Sequence, residues 1–251
     1  MTAGHPRDQR GGQAATDAAT CREFTMRILD RCGALTGAAY VVLVMAGNAM
    51  STGPSPGSNR SPGEQDIDYM HWLAGSTLGQ AGVTLELLGF AAWMLFVGYL
   101  CTRVRAGGWL ATAALTGGVV SVAVKLASAA PLLTGYLLRD ELSPDTARML
   151  TNMNGIAFGV DWLPVGLFVA CASAAALATR TLGPLLGWGG VLAGTLTVFI
   201  TAVTGVHLDA GNPLPFLVCL LWILAISVRL AIHRTPKVTS QATPIPTPVA
   251  I

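Results

Sequence analysis

Charged residues are scarce in this sequence. Asp, Glu, Lys and Arg make up 11% of its 251 residues, whereas 52% are hydrophobic. Soluble domains carry about 25% charged residues, so a water-soluble fold is excluded. The mean hydropathy of +0.57 agrees. A net charge of +2 leaves no basic surface of the kind that binds nucleic acid. We therefore expect an integral protein of the cell membrane, with membrane lipids as its neighbours and no nucleic-acid partner.

The sequence also lacks the short motifs that mark common catalytic and metal sites. It contains no CxxC pair, no clustered Cys and His residues, no phosphate-binding glycine loop, no GxSxG and no HExxH. The five cysteines fall within apolar runs or on the predicted cytoplasmic side, which excludes a structural disulfide in an outer loop; they are Cys21, Cys32, Cys101, Cys171 and Cys219. We expect no metal and no cofactor.

Long apolar runs are what the sequence does contain. A helix needs about 20 apolar residues to cross the hydrocarbon core, and six runs reach or approach this length, at 33–50, 79–101, 108–131, 154–178, 183–206 and 214–232. Barrel strands are shorter and alternate polar with apolar positions. The sequence thus predicts an all-α, polytopic six-helix bundle over residues 29–233. Residues 1–28 and 234–251 are poor in large apolar groups and are predicted to be disordered.

The basic residues predict the orientation of this bundle. With the N-terminus inside, eleven of them face the cytoplasm, namely Arg7, Arg10, Arg22, Arg27, Arg31, Arg103, Arg105, Arg180, Arg229, Arg234 and Lys237. The outer side then holds Arg60, Arg139 and Arg148. Cytoplasmic loops carry an excess of Lys and Arg, so both termini are predicted to be cytoplasmic.

Two outer connections are long. The first begins with Ser, Pro and Gly, which resist regular structure, and ends with Tyr69, His71 and Trp72, which resemble interfacial anchors. The second contains Ser143-Pro144-Asp145, a helix-start signal with proline at the first helical position. We expect a short amphipathic helix to begin there and to lie along the outer surface.

Three ionisable residues, Glu86, Lys125 and Asp161, interrupt three different apolar runs. Counted from the predicted outer ends of their spans, all three lie about 9 to 11 Å deep at 1.5 Å per residue. Ionisable groups in the membrane cost several kcal/mol and mark functional sites by default. Other polar residues complete the predicted intramembrane site, namely Asn48, Asn154, Thr201, Thr204 and His207.

Each of these features also has a structural interpretation. Threonines in membrane helices commonly donate back to their own backbone, which would explain the stripe of Thr197, Thr201 and Thr204. A histidine near the interface, such as His207, is commonly a surface residue. The charged trio would equally serve as a buried ion-pair network without chemistry.

Two stretches, LELLGFAAWMLFVGYLCTRVR and RTLGPLLGWGGVLAGTL, carry a family resemblance. Hydrophobic patterns, an acid in the second span and a Leu-Gly-Trp turn make the chain similar to six-helix actinobacterial membrane proteins grouped as domains of unknown function. The resemblance implies a six-span bundle and no assigned catalytic residues. Lys125 and Asp161 lie outside the stretches that carry it.

Three functions remain open. The first, which we favour, is the binding or transport of a small solute coupled to protonation, with Glu86 or Asp161 taking up the proton. Transport through only six spans would require a homodimer. The second is a membrane-embedded enzyme that uses a buried carboxyl as general acid on a lipid-like or isoprenoid substrate. The third is an accessory subunit without chemistry.

Overall fold

A computed structural model of the chain describes residues 7–53, 59–204 and 214–232. These residues form seven α-helices and no strand, as the sequence predicts. The helices are α1 (Arg7–Ser51), α2 (Pro62–Gly75), α3 (Thr77–Arg103), α4 (Trp109–Leu138), α5 (Pro144–Ala178), α6 (Pro184–Thr204) and α7 (Leu214–Ile232). A short 3-10 turn, Arg105–Gly107, connects α3 to α4.

Six of these helices contain segments long and apolar enough to cross a membrane, which confirms the predicted number of spans. The segments are Thr25–Ser51, Thr77–Arg103, Trp109–Leu138, Pro144–Ala178, Pro184–Val203 and Leu214–Ile232. We call the side of the bundle that carries α2 the α2 end. The count of basic residues predicts that this end faces outward, and the orientation stays a prediction.

The predicted surface helix at residue 143 is wrong as a separate element. Ser143 does cap a helix, because its side chain accepts from the backbone N–H of Thr146, and Pro144 does occupy the first turn. That helix is α5, however, which continues for 35 residues through the whole fourth span. No glycine or proline interrupts residues 145–154, so nothing ends the helix before the membrane.

The short helix at this end is instead α2, in the first outer connection, of which only the initial residues were expected to resist regular structure. A capping box starts it: Ser61 accepts from the backbone N–H of Glu64, and the Glu64 carboxylate accepts from the backbone N–H of Ser61 at 2.7 Å. The sequence Ser-Pro-Gly-Glu at 61–64 carries this signal. Tyr69 anchors α2 to α1, since its hydroxyl donates to the backbone carbonyl of Ser51 at 3.1 Å.

The chain ends are only partly described. The structure continues α1 back to Arg7 through much of the segment predicted to be disordered, and the disorder of residues 1–28 stays a prediction. The predicted disordered tail at 234–251 and the candidate residue His207 lie outside the described residues.

Small residues bring the helices together around the site. A side chain on Gly82 of α3 would lie 2.7 Å from the backbone oxygen of Gly47 on α1, and one on Gly117 of α4 would lie 2.8 Å from the backbone oxygen of Pro164 on α5. Close backbone approach through small residues is the usual packing of membrane helices. It sets the register between α1 and α3 and between α4 and α5.

An aromatic layer fills the middle of the bundle. Trp93, Phe96 and Phe168 are buried, and the rings of Trp93 and Phe168 meet edge to face with centroids 4.8 Å apart. Trp93 follows Glu86 by seven residues and Phe168 follows Asp161 by seven, so the layer lies about 10 Å farther from the α2 end than these acids. The charged residues are therefore separated from the opposite end of the bundle by packed rings.

Candidate functional site

Lys125 and Asp161 form a buried ion pair between α4 and α5. The Lys125 Nζ lies 3.5 Å from the Asp161 Oδ2, and the two side chains are only 9% and 1% exposed. The close approach of α4 to α5 at Gly117 brings both residues into reach. Desolvating two charges is compensated only when they interact closely, so each residue depends on the other.

Two phenylalanines surround the ammonium of Lys125. Its Nζ lies 3.5 Å from the ring centroid of Phe158 and 5.9 Å from that of Phe216. Phe158 precedes Asp161 by three residues on α5, which places both on one face of the helix. A cation over an aromatic face is attracted by the ring. Lys125 is thus held by a carboxylate and by aromatic faces together.

Glu86 does not join this ion pair. Its Oε1 accepts a hydrogen bond of 3.0 Å from the hydroxyl of Ser51, at the last residue of α1. The α1 backbone at Gly47 packs directly against α3 beside Glu86, because a side chain on Gly47 would lie 2.7 Å from the Glu86 Cγ. Glu86 is therefore fixed to α1 through Ser51, whereas Lys125 is fixed to α5 through Asp161.

A cavity of about 620 Å³ connects Glu86 with Lys125. It extends from these residues to Gln80 in the first turn of α3 and Tyr136 in the last turn of α4, which lie at the α2 end. Most of its lining is apolar or aromatic, and its rings come from Tyr40, Phe90, Tyr136, Phe158 and Phe216. None of the three residues of the aromatic layer lines it. The cavity thus reaches toward one end of the bundle only.

The polar candidates divide into those that line this cavity and those that do not. The lining includes Asn48, Glu86, Lys125 and Asn154. Asp161 lies behind Lys125 and is not part of the wall. Neither Asp161 oxygen accepts a hydrogen bond of good geometry from a described residue, which makes Lys125 its main source of compensation.

The threonine stripe lies away from the cavity. Thr197 donates to the backbone carbonyl of Ala193 at 2.9 Å, and its Oγ1 is 3.4 Å from the Sγ of Cys219 on α7. The Thr201 hydroxyl is buried without a hydrogen-bond partner among the described residues. Neither Thr197 nor Thr201 lines the cavity. Only the backbone of Thr204 is described.

The cavity charges are unevenly compensated. Among the described lining residues, Glu86 is the single acid and Lys125 the single base. The charge of Lys125 is already balanced by Asp161 behind it, at 3.5 Å. The carboxylate of Glu86 has only the Ser51 hydroxyl as a close partner. Unlike Lys125, Glu86 forms no ion pair within 4 Å in the described part of the chain.

Sequence reasoning missed Ser51, Tyr40, Phe158 and Phe216. Phe158 carries a usable signal, since its spacing of three from Asp161 places a ring beside any cation that the carboxylate binds. Ser51 and Phe216 had no such signal, because their contacts depend on the register between different helices.

Comparisons with protein-family models, with curated proteins and with solved structures find no match to this chain. The resemblance to the actinobacterial family is thus supported only in its coarsest implication, a helical membrane domain with six spans. No group of three or more potential metal ligands occurs in the described part of the chain.

Proposed function

We propose that this protein binds an apolar organic cation in the cavity at the α2 end, with Glu86 as counterion. The observation that carries the proposal is the charge pattern of the wall: Glu86 is its single acid, and Lys125 is neutralised by Asp161 from behind. A ligand with a positive charge would therefore supply the ion-pair partner that the Glu86 carboxylate lacks.

The walls support an apolar body for this ligand. Drug-sized ligands occupy pockets of about 300 to 1,000 Å³ with mainly hydrophobic and aromatic linings and few polar groups. A cavity of about 620 Å³ with five aromatic rings has this character. Aromatic faces also attract cations directly, as Phe158 already does for Lys125.

Binding of such a cation would be coupled to protonation. A carboxyl group in the membrane is neutral when it holds a proton, and it regains its charge when a cation replaces that proton. Proton and ligand therefore compete for Glu86. A transporter that exchanges the cation for a proton has a state in which its cavity is open to one side, and a cavity that reaches a single end of the bundle agrees with such a state. The homodimer expected for transport is part of this proposal.

The experiment uses two probes of matched shape and opposite charge. Tetraphenylphosphonium and tetraphenylborate differ in sign, so the binding of each to protein in nanodiscs, after subtraction of its binding to empty nanodiscs of the same lipid, isolates the electrostatic contribution. We expect the protein to prefer the phosphonium and Glu86→Gln to weaken its binding by about tenfold or more, the effect of 1.4 kcal/mol. Glu64→Gln is the matched control, because Glu64 is exposed on α2 and does not line the cavity.

Equal binding of both probes, or unchanged phosphonium binding in Glu86→Gln, would refute the proposal. The proton coupling has its own readout, since phosphonium binding in weak buffer should release protons from the wild type and none from Glu86→Gln. Release that persists in the variant would assign the coupling to another group.

A membrane-embedded enzyme is the second candidate. The apolar walls around a single free carboxyl favour it, because a carboxyl in such surroundings serves as a general acid. Incubation of the protein with an extract of lipids and isoprenoids, followed by mass spectrometry, should then reveal a product that Glu86→Gln does not form. Binding without turnover would leave the cation-binding function alone.

A further inference from the structure

A second cavity, of about 400 Å³, lies at the opposite end of the bundle. Its walls come from the end of α5, the turn into α6 and the last turn of α7. The lining includes two arginines, Arg180 and Arg229. Its lining contains no acid. Neither arginine forms an ion pair with another residue in the described part of the chain.

The two arginines reach this cavity from distant parts of the sequence. Arg229 packs against the turn between α5 and α6, because a side chain on Gly183 would lie 3.0 Å from the Arg229 Nη2. Arg180 lines the same cavity from the other side of the turn. Both arginines line a cavity that contains no acid, so the cavity favours an anionic ligand.

The backbone at Arg180 allows a clean test of its side chain. The N–H of Arg180 bonds to the carbonyl of Leu177 and the N–H of Thr181 to that of Ala176, which closes α5 in a Schellman motif. Arg180 has the left-handed φ of 54° that this motif requires, and it is the only residue other than glycine with positive φ in the described chain. Glycine adopts this conformation at lower cost. The helix end therefore does not need the arginine side chain, and glycine can replace Arg180 without loss of this motif.

The position of this cavity indicates its ligand. Arg180 follows the end of one candidate span by two residues and Pro184 begins the next, so we expect the cavity at the level of the lipid headgroups. Leu185 and Trp188, on the first turns of α6, are 85% and 66% exposed, and tryptophan is enriched at this level of the membrane. The cavity therefore borders the lipid.

We propose that Arg180 and Arg229 form a phosphate-binding site at the end of the bundle opposite α2. Guanidinium groups bind phosphate oxygens through paired hydrogen bonds, and basic pockets between membrane helices bind anionic lipid headgroups. Lipid phosphate and free phosphate share this chemistry. The site is separate from the cation cavity and does not depend on its function.

The test compares the wild type with Arg180→Gly, Arg229→Gln and the double variant. Arg180→Gly removes the guanidinium and supplies the residue that the left-handed backbone favours, so its melting temperature in phosphatidylcholine nanodiscs should equal or exceed that of the wild type. Arg105→Gln is the control, because Arg105 is exposed at the same end and lines neither cavity.

Native mass spectrometry after release from nanodiscs of phosphatidylglycerol and phosphatidylcholine reports the lipid source. We expect the wild type to retain phosphatidylglycerol, each single variant to retain about tenfold less, and Arg105→Gln to match the wild type. Calorimetric titration with inorganic phosphate in pure phosphatidylcholine nanodiscs reports the soluble source. Binding in either arm that depends on Arg180 and Arg229 supports the site and identifies its source. If neither ligand shows this dependence while Arg180→Gly is folded, the proposal is wrong.

Discussion

Replacing Lys125 with Met is expected to destabilise the protein strongly. The change leaves the Asp161 carboxylate, 1% exposed, without the ammonium that lies 3.5 Å away. At this separation and an effective dielectric constant of 20, the Coulomb attraction is about 5 kcal/mol. Breaking a buried pair by removing one partner costs about 3 to 5 kcal/mol in measured cases. We therefore expect a loss of about 3 to 5 kcal/mol in the free energy of unfolding.

A second substitution identifies the partner of Lys125. Adding Asp161→Asn to Lys125→Met removes the unpaired carboxylate and should recover most of the lost free energy of unfolding. The remaining loss is the free energy of burying the asparagine amide. Adding Glu86→Gln should recover little, because Glu86 accepts its hydrogen bond from Ser51 and not from Lys125. The double-mutant cycle separates these pairwise energies.

Equilibrium unfolding in mixed micelles, monitored by tryptophan fluorescence, measures each variant. The reasoning fails if Lys125→Met unfolds like the wild type at neutral pH, since the ammonium would then be solvated and not buried. It also fails if Glu86→Gln rescues as well as Asp161→Asn, because the three residues would then act as one network.

Three further predictions concern orientation, packing and pH. A reporter fused after Ile251 should behave as cytoplasmic, and activity from a reporter that functions only outside the cell would reverse the topology. Gly82→Ala should destabilise by about 1 to 3 kcal/mol, because the added carbon meets the α1 backbone, while Gly98→Ala, which meets nothing within 4 Å, should stabilise α3 slightly. Hydrogen bonds from Ser61 lower the pKa of Glu64 below its usual 4.5, so the ionised Glu64 stabilises α2 fully above pH 4.5. Hydrogen exchange should show that α2 loses protection as the pH falls through the lowered pKa. The Glu64→Gln variant should show no such loss.

The membrane spans could be predicted because each depends only on its own residues. A run of apolar side chains long enough to cross the bilayer is helical whatever its neighbours are, since its backbone must be satisfied internally. A second local signal, a capping serine followed by proline, identified Ser143 and Pro144 as a helix start. This signal did not predict that the helix, α5, continues into the membrane. A separate surface helix and the first turns of a membrane-spanning helix have similar sequences.

The partners within the charged layer could not be predicted from depth alone. Glu86, Lys125 and Asp161 were placed at one level, and this level does not distinguish an ion pair from a free carboxylate. The distinction depends on how α4 meets α5 at Gly117 and how α3 meets α1 at Gly47. Such contacts depend on how small residues of different helices fit together. The spacing of residues within one sequence does not reveal this fit.

The two acids therefore differ in a way that separates stability from binding. Asp161 is committed to Lys125 and lies behind the cavity wall, whereas Glu86 is in the wall and lacks a close counterion. The double variant, Lys125→Met with Asp161→Asn, is expected to be stable, removes one positive and one negative charge, and leaves Glu86 and its Ser51 hydrogen bond in place. It should bind tetraphenylphosphonium as the wild type does if the pair only holds α4 to α5. A folded double variant that no longer binds the phosphonium would place the pair within the binding machinery, and Glu86 would then not act as the sole counterion.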